Sequence, residues 1–179
     1  MRRTIIIALA AVAALLAAAA PASAGGTDMD TNGVWVHRPW VPWPATPVDL
    51  AAGVYCSFAV HGDPTVDEVR TKTIEEYPDG SPKRQLATGA LIYQMTNTET
   101  GASTLADASG SGVIDFVPDG AQNWHVIGPV VVAIKDGASN LPRGLWTLNG
   151  VYDIYFSPTR YSTVTFRRGG MHDVCADID

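Results

Sequence analysis

Cysteine and histidine are scarce in this chain. Among 179 residues there are only two cysteines, Cys56 and Cys175, and no C-x-x-C pair. The four histidines are far apart in the sequence: His37, His61, His125 and His172. Structural zinc needs several Cys or His ligands at close spacing, so the sequence predicts no metal site and no cofactor. Neither cysteine has an activating partner nearby in the sequence, which argues against a catalytic thiol.

Basic residues are also few. The chain has 12 Lys and Arg against 18 Asp and Glu, a formal charge of −6, and the basic residues are scattered. Nucleic-acid binding requires a clustered positive surface, so a nucleic-acid partner is not expected. The acidic balance is more typical of a protein whose net charge favours solubility.

The longest apolar run of the sequence lies at the N-terminus. A basic start, Met1-Arg2-Arg3, precedes the Ala-, Ile- and Leu-rich residues 4–20, and Ala22-Ser23-Ala24 has the form that signal peptidase accepts. A transmembrane anchor needs about 20 apolar residues, whereas this run is shorter and is followed by Pro21. We therefore predict a signal peptide at residues 1–24, cleavage near Ala24, and a secreted protein with no membrane span.

Secretion determines how the cysteine pair is interpreted. Thiols outside the cell normally oxidise, so two cysteines in a secreted chain predict one disulfide. Residues 54–60 alternate in polarity and predict a strand with Cys56 facing the core. Residues 171–178 have apolar side chains at helical spacing and predict a short terminal helical turn with Cys175 on its buried face. The bridge would then join the first strand of the domain to its last element.

Between these two elements the chain alternates extended segments with turn signals. The stretches "YPDGSPK", "TNTETG", "PDG" and "SPTR" contain the residues that tight turns prefer. Residues 130–134 (VVVAI) are continuously apolar, which indicates a strand covered on both faces. The segments predicted as strands are residues 54–60, 66–76, 86–96, 103–108, 113–117, 124–134, 145–156 and 161–168. We predict an all-β fold of about eight antiparallel strands in a meander that closes into a barrel, or alternatively forms a β-sandwich.

Three tryptophans are concentrated before this domain. Removal of the 24-residue signal peptide would leave 155 of the 179 residues, enough for one domain. We place this domain at residues 53–179, after an arm at residues 25–52. In the arm, Trp35, Trp40 and Trp43 are interleaved with prolines, which exclude a helix and favour an extended segment. The indoles either form a binding surface for a glycan, peptide or lipid, or pack on the domain. Packing is the prediction, because three exposed tryptophans would promote aggregation.

Several of these motifs occur together in a known group of proteins. The chain has C-x-F-x-V at Cys56, "TGALIYQMTNTETG" at residues 88–101, a "PDG" turn and D-x-C at Cys175. This order resembles small exported proteins of actinobacteria that have no assigned function, over roughly residues 53–178. The resemblance implies a barrel-like all-β fold and a disulfide, and it implies no catalytic residue.

The sequence predicts no catalytic site. There is no G-x-S-x-G elbow and no glycine-rich phosphate loop. His61 and Asp63 are the one pair that could act as acid and base at a barrel mouth. We expect a non-catalytic exported protein that binds a small apolar ligand or a cell-surface component. The alternative is a small-barrel enzyme of the isomerase or cyclase type, supported by fold analogy alone.

Overall fold

The computed structural model describes residues 33–179. The predicted signal peptide and the arm up to residue 32 lie outside the described residues. Within residues 33–179 the chain forms thirteen β-strands and one short helix, α1 (Val174–Asp177). The named strands all pair antiparallel. The prediction of an all-β antiparallel fold with a C-terminal helical turn is confirmed.

The strands form two sheets. Their bounds are β1 (Val34–Trp35), β2 (Val41–Pro42), β3 (Val48–Leu50), β4 (Val60–Asp67), β5 (Arg70–Glu76), β6 (Pro82–Thr88), β7 (Leu91–Asn97), β8 (Ser103–Asp107), β9 (Ser111–Phe116), β10 (Gln122–Ile127), β11 (Val130–Ile134), β12 (Gly144–Phe156) and β13 (Ser162–Asp173). In the nine-stranded sheet, β1 and β2 lie along β5, followed by β6, β9, then β10 and β11 end to end, β12 and β13. The four-stranded sheet has the order β3-β4-β7-β8.

The predicted closure into a barrel is not confirmed. Among the named strands of residues 33–179, β13 pairs only with β12 and β8 pairs only with β7, so neither sheet returns to its first strand. The two sheets instead remain connected through the chain, because several consecutive strands are halves of one longer strand.

The hairpin of β4–β5 with β6–β7 shows this continuity. Asp67 pairs with Leu91 in one sheet, and Arg70 pairs with Thr88 in the other. The first strand advances three residues from Asp67 to Arg70, and its antiparallel partner goes back three residues from Leu91 to Thr88. The pairing register is therefore the same on both sides of the break. The sequence predicted each of residues 86–96 and 124–134 as a single strand, whereas each is divided in two at a bend.

Glycine permits the bends, because neighbouring backbones come very close there. Gly89 has a φ of +137° and Gly150 a φ of +129°, a conformation that side chains strongly disfavour. A side chain on Gly89 would collide with the carbonyl of Glu68, and one on Gly150 with the carbonyl of Arg168. Each long strand can therefore turn sharply without losing its neighbour.

Two apolar clusters fill the interior. One joins the four-stranded sheet to α1 and to the loop after β3, and the other lies on the nine-stranded sheet. Strand β11 separates them: Val131 and Ala133 belong to the first cluster, and Val132 and Ile134 belong to the second. The prediction that residues 130–134 are covered on both faces is confirmed.

The predicted strand at residues 54–60 is wrong. Residues 52–58 form turns and bends, and β4 begins only at Val60. Gly53, with a φ of +74°, donates its N–H to the carbonyl of Cys56 at 2.9 Å. The adjacent residues Tyr55 and Cys56 are both buried. The apolar pattern therefore marks an irregular loop packed into the core, where backbone hydrogen bonds close a turn instead of a ladder.

The terminal helix is shorter than the sequence pattern suggested. Strand β13 continues to Asp173, so Met171 lies in the strand and not on the helix. The Asp173 carboxylate accepts hydrogen bonds from the N–H groups of Cys175 and Ala176 and caps the helix. This cap fixes where the extended chain turns into α1.

Cys56 and Cys175 are bonded to each other, as predicted, with their Cα atoms 5.6 Å apart. The bridge joins the loop after β3 to α1. Close by, the buried side-chain amide of Asn97 donates to the carbonyl of Ile178 at 3.0 Å. The loop after β3 and the C-terminal helix are thus attached to the same core cluster.

We expect removal of the bridge to lower stability strongly. The cysteines are 119 positions apart, and for a loop of that length chain entropy gives an upper value of about 4 to 5 kcal/mol. The double variant Cys56→Ala, Cys175→Ala should melt roughly 10 °C or more below the intact protein. Fully reduced wild-type protein serves as the control and should melt close to the double variant. Two free thiols in a non-reduced peptide map of exported protein would contradict the bridge.

Candidate functional site

The Trp- and Pro-rich arm is part of both sheets. β1 and β2 pair with β5 in one sheet, and β3 pairs with β4 in the other. Between them, the N–H of Trp43 donates to the carbonyl of Val69 at 2.8 Å, and the N–H of Ala45 donates to the carboxylate of Asp67 at 2.8 Å. The arm therefore crosses from sheet to sheet at the position where β4 becomes β5.

The three arm tryptophans have different environments. Trp43 packs on Trp124, with ring centroids 6.1 Å apart, and it contacts the second core cluster. Trp40 is 39% exposed and lies under the guanidinium of Arg70, 5.3 Å from the ring centroid. Trp35 is 68% exposed. The sequence offered packing or display as alternatives for the whole arm. In the structure Trp43 packs on the core, Trp40 is partly exposed and Trp35 is exposed to solvent.

Trp43 forms part of the wall of a partly enclosed space between the two sheets, which we call the inner cavity. Its volume is about 110 Å³. The wall includes Tyr93 from the four-stranded sheet, and Ile114, Trp124 and Val126 from the nine-stranded sheet. The cavity lies where the two core clusters meet, immediately inside the bends. Ala87 and Leu91, on either side of the break between β6 and β7, both line it.

The inner cavity contains almost no polar chemistry. No Asp, Glu, His, Lys, Arg or Cys occurs among the described residues that line it. The hydroxyl of Tyr93 donates to the carbonyl of Thr46 at 3.1 Å, and burial raises the pKa of this phenol. Tyr93 is therefore neutral at physiological pH and already hydrogen-bonded. This wall is suited to holding an apolar group and not to moving protons.

A second depression lies on the opposite face of the nine-stranded sheet, and we call it the outer groove. Its volume is about 600 Å³. Trp40 stands at one end, and the side chains of His125, Asp153 and Arg167 lie at the other. The part between them includes Ile127, which is 67% exposed although it belongs to the central strand β10. An apolar floor bounded by charged groups distinguishes this face from an ordinary solvated one.

The charged groups of the outer groove are paired with one another. One Asp153 oxygen accepts a hydrogen bond from His125 Nδ1 at 2.6 Å, and the other accepts from Arg167 Nε at 2.9 Å. The bond from His125, and then that from Arg167, lowers the pKa of Asp153. The carboxylate is therefore ionised at neutral pH and held in one orientation. The sequence reasoning did not identify this group, because its members lie on three strands.

The predicted His61–Asp63 pair is present, and it has a third member. His61 Nε2 lies 3.0 Å from Asp63, and His61 Nδ1 lies 2.7 Å from Asp49. The hydrogen bond to Asp49 is the largest cause of the raised pKa of His61. Asp49 faces His61 across the β3–β4 pairing, so only the register reveals it. His61 lines neither the inner cavity nor the outer groove.

The described residues form neither a metal-binding cluster nor a membrane-spanning helix. Among residues 33–179, no group of three or more His, Cys, Asp or Glu side chains is arranged to hold a metal ion. No helix in that range is long and apolar enough to span a membrane.

No protein-family model matches the chain, and no curated protein or solved structure matches it either.

We expect the arm tryptophans to contribute unequally to stability. Trp43→Ala removes a packed indole and should lower the free energy of unfolding by about 2 kcal/mol, less than for a fully buried tryptophan. Trp35→Ala is the matched control, because its side chain is largely exposed, and it should change stability by less than about 0.5 kcal/mol. Urea unfolding of the two variants measures both values. Equal effects would show that the arm does not pack as described.

We expect the His61 ring to titrate above the ordinary histidine pKa. Its two carboxylate partners stabilise the imidazolium, so their contribution to stability is complete below the unfolded-state pKa and is lost as pH rises through the folded-state pKa. NMR titration of the His61 ring protons measures the midpoint. Asp49→Asn should lower the midpoint, whereas Glu99→Gln, a surface control, should leave it unchanged. An unchanged midpoint in Asp49→Asn would contradict the pairing.

Proposed function

We propose that this chain is an exported, non-catalytic binding protein that holds a small apolar ligand, or an apolar part of one, in the inner cavity. The observation that carries the proposal is a partly enclosed space between the sheets that is lined by apolar side chains and bordered by Trp43. The predicted signal peptide and the disulfide are both compatible with export. The proposal does not need a closed barrel, because the bend between the sheets already creates the space.

The dimensions of the inner cavity limit what fits. A volume of about 110 Å³ is somewhat smaller than an engineered apolar cavity of about 150 Å³ that stays dry and binds benzene. A ring or chain of about six carbons is therefore the expected occupant. Burial of six such groups at about 0.8 kcal/mol each corresponds to a Kd on the order of 0.1–1 mM for a fragment of this size. A larger ligand would have to displace Trp43.

The enzyme alternative, of the isomerase or cyclase type, has less support. Proton transfer needs a titratable group within hydrogen-bond reach of the reacting atom. Of the described residues that line the inner cavity, only Tyr93 has such a group, and its hydroxyl already donates to a backbone carbonyl. A carrier of an apolar group requires no such residue, so binding is the better-supported function.

The proposal predicts binding that depends on cavity volume. Benzene and cyclohexane should bind the intact protein and raise its melting temperature. Ala87 lies on β6 against the second core cluster and lines the inner cavity. Ala87→Leu should fill the space and weaken binding at least tenfold, and Ala87→Val should have an intermediate effect. Leu86→Ala, one residue along the strand and facing the other side, should bind like wild type.

The same experiment can reject the proposal. Circular dichroism and melting curves first establish that the variants fold. Unchanged benzene binding in folded Ala87→Leu would place the ligand elsewhere, and no binding to the intact protein would remove the proposal. Native mass spectrometry of protein taken from culture medium should detect a bound apolar molecule, and this molecule should be absent from Ala87→Leu.

A further inference from the structure

We propose that the outer groove is a second, independent site that binds a neutral saccharide, with Trp40 as the stacking surface and Asp153 and Arg167 as hydrogen-bonding groups. This site does not rest on the inner cavity. The two spaces share five lining residues across the sheet, but the groups that would recognise the sugar, Trp40, Asp153 and Arg167, line only the outer groove. The geometry that points to it combines an aromatic ring, an apolar floor and a fixed pair of opposite charges in one groove of about 600 Å³.

The floor is built by the register of the central strands. Leu86 pairs with Val113, and Val113 pairs with His125, so these side chains form one row across β6, β9 and β10. In the next row Ile127 pairs with Val151. Because paired residues share a face, the apolar side chains of the two rows lie side by side. The row that starts at Leu86 continues from His125 to Asp153 on β12.

Trp40 is held in place by the arm. It lies next to β2, which pairs with β5, and Pro39 and Pro42 on either side restrict the backbone. The Arg70 guanidinium near its ring restrains the indole further. An exposed aromatic side chain in a fixed position can bind a ring-shaped ligand with little loss of conformational freedom. Trp35, in β1, is also held by pairing with β5, but it does not line the groove.

The charged end of the groove selects a neutral, hydroxyl-rich ligand. Asp153 is an ionised acceptor, and the contacts of Arg167 with other described residues use its Nε atom. Because Asp153 and Arg167 carry opposite charges, an anionic or a cationic ligand would be attracted by one of them and repelled by the other. A purely apolar ligand would strip water from both ions, which is unfavourable. A sugar has hydroxyls that donate and accept, and it has apolar C–H faces that fit the indole and the floor.

The hydroxyls at the side of the groove extend this pattern. Thr88 and Ser111 lie 2.7 Å apart and are hydrogen-bonded to each other, and both line the groove. Hydroxyl groups can donate and accept in turn. They therefore add adaptable partners between Trp40 and the fixed Asp153–Arg167 pair. The groove thus offers a sugar chain aromatic, hydroxyl and charged contacts in succession.

The test uses a panel of neutral hexasaccharides of glucose, mannose, galactose, xylose and arabinose, with saturation-transfer NMR and calorimetry on the full exported chain. We expect at least one to bind. Trp40→Ala should weaken binding at least tenfold, whereas Trp35→Ala should stay within twofold of wild type. Arg167→Ala should weaken binding at least fivefold, whereas Arg168→Ala, the adjacent arginine that does not line the groove, should stay within twofold.

Three results would overturn the proposal. One is no binding of any hexasaccharide at millimolar concentration. Another is equal loss in the two tryptophan variants or in the two arginine variants. The third is a preference for a sulfated polysaccharide or an acidic peptide, which would indicate charge attraction instead. Ala108→Leu, at a residue that lines the inner cavity and not the outer groove, should weaken benzene binding and keep full saccharide binding, so that failure of this site and failure of the inner cavity can be told apart.

Discussion

The close approach of neighbouring backbones at the bends is the constraint on which the rest of the fold depends. At Gly89 a Cβ atom would collide with the carbonyl of Glu68 on the next strand, so the bend can form only where no side chain is present. The bend sends β6 and β7, the two halves of a long strand, into different sheets while their register with the neighbouring strand is kept. The space inside the bend becomes the inner cavity, and the face outside it carries the outer groove.

The arm uses the same geometry as the strands beside it. It adds β1 and β2 to one sheet and β3 to the other, and it crosses between them beside Val69, where the neighbouring strand also breaks. This path places Trp43 inside the bend and Trp40 outside it. One short Trp- and Pro-rich segment therefore contributes to both candidate sites, with chemically different surroundings for the two indoles.

The histidines on the two sheets are held in place by carboxylates and not by burial. His61 lies between Asp49 and Asp63, and His125 is held by Asp153. Asp49 and Asp153 lie directly opposite their histidines on adjacent strands, and Asp63 lies two residues from His61 on the same face of β4. Pairing keeps each carboxylate in a fixed orientation. At Asp153 that orientation faces a groove, whereas at Asp63 it does not.

The sequence by itself determined the elements that depend on local chemistry: an all-β chain, turns at Pro-Asp-Gly, a C-terminal helical turn and a Cys56–Cys175 bridge. Alternation alone misassigned residues 54–60, because a buried loop can contain the same apolar residues as a strand. The tertiary structure decided the division into two sheets and the separate environments of the arm tryptophans. It also decided which charged residues meet. These depend on register and on bends between distant segments, and neither is encoded in the spacing of residues along one strand.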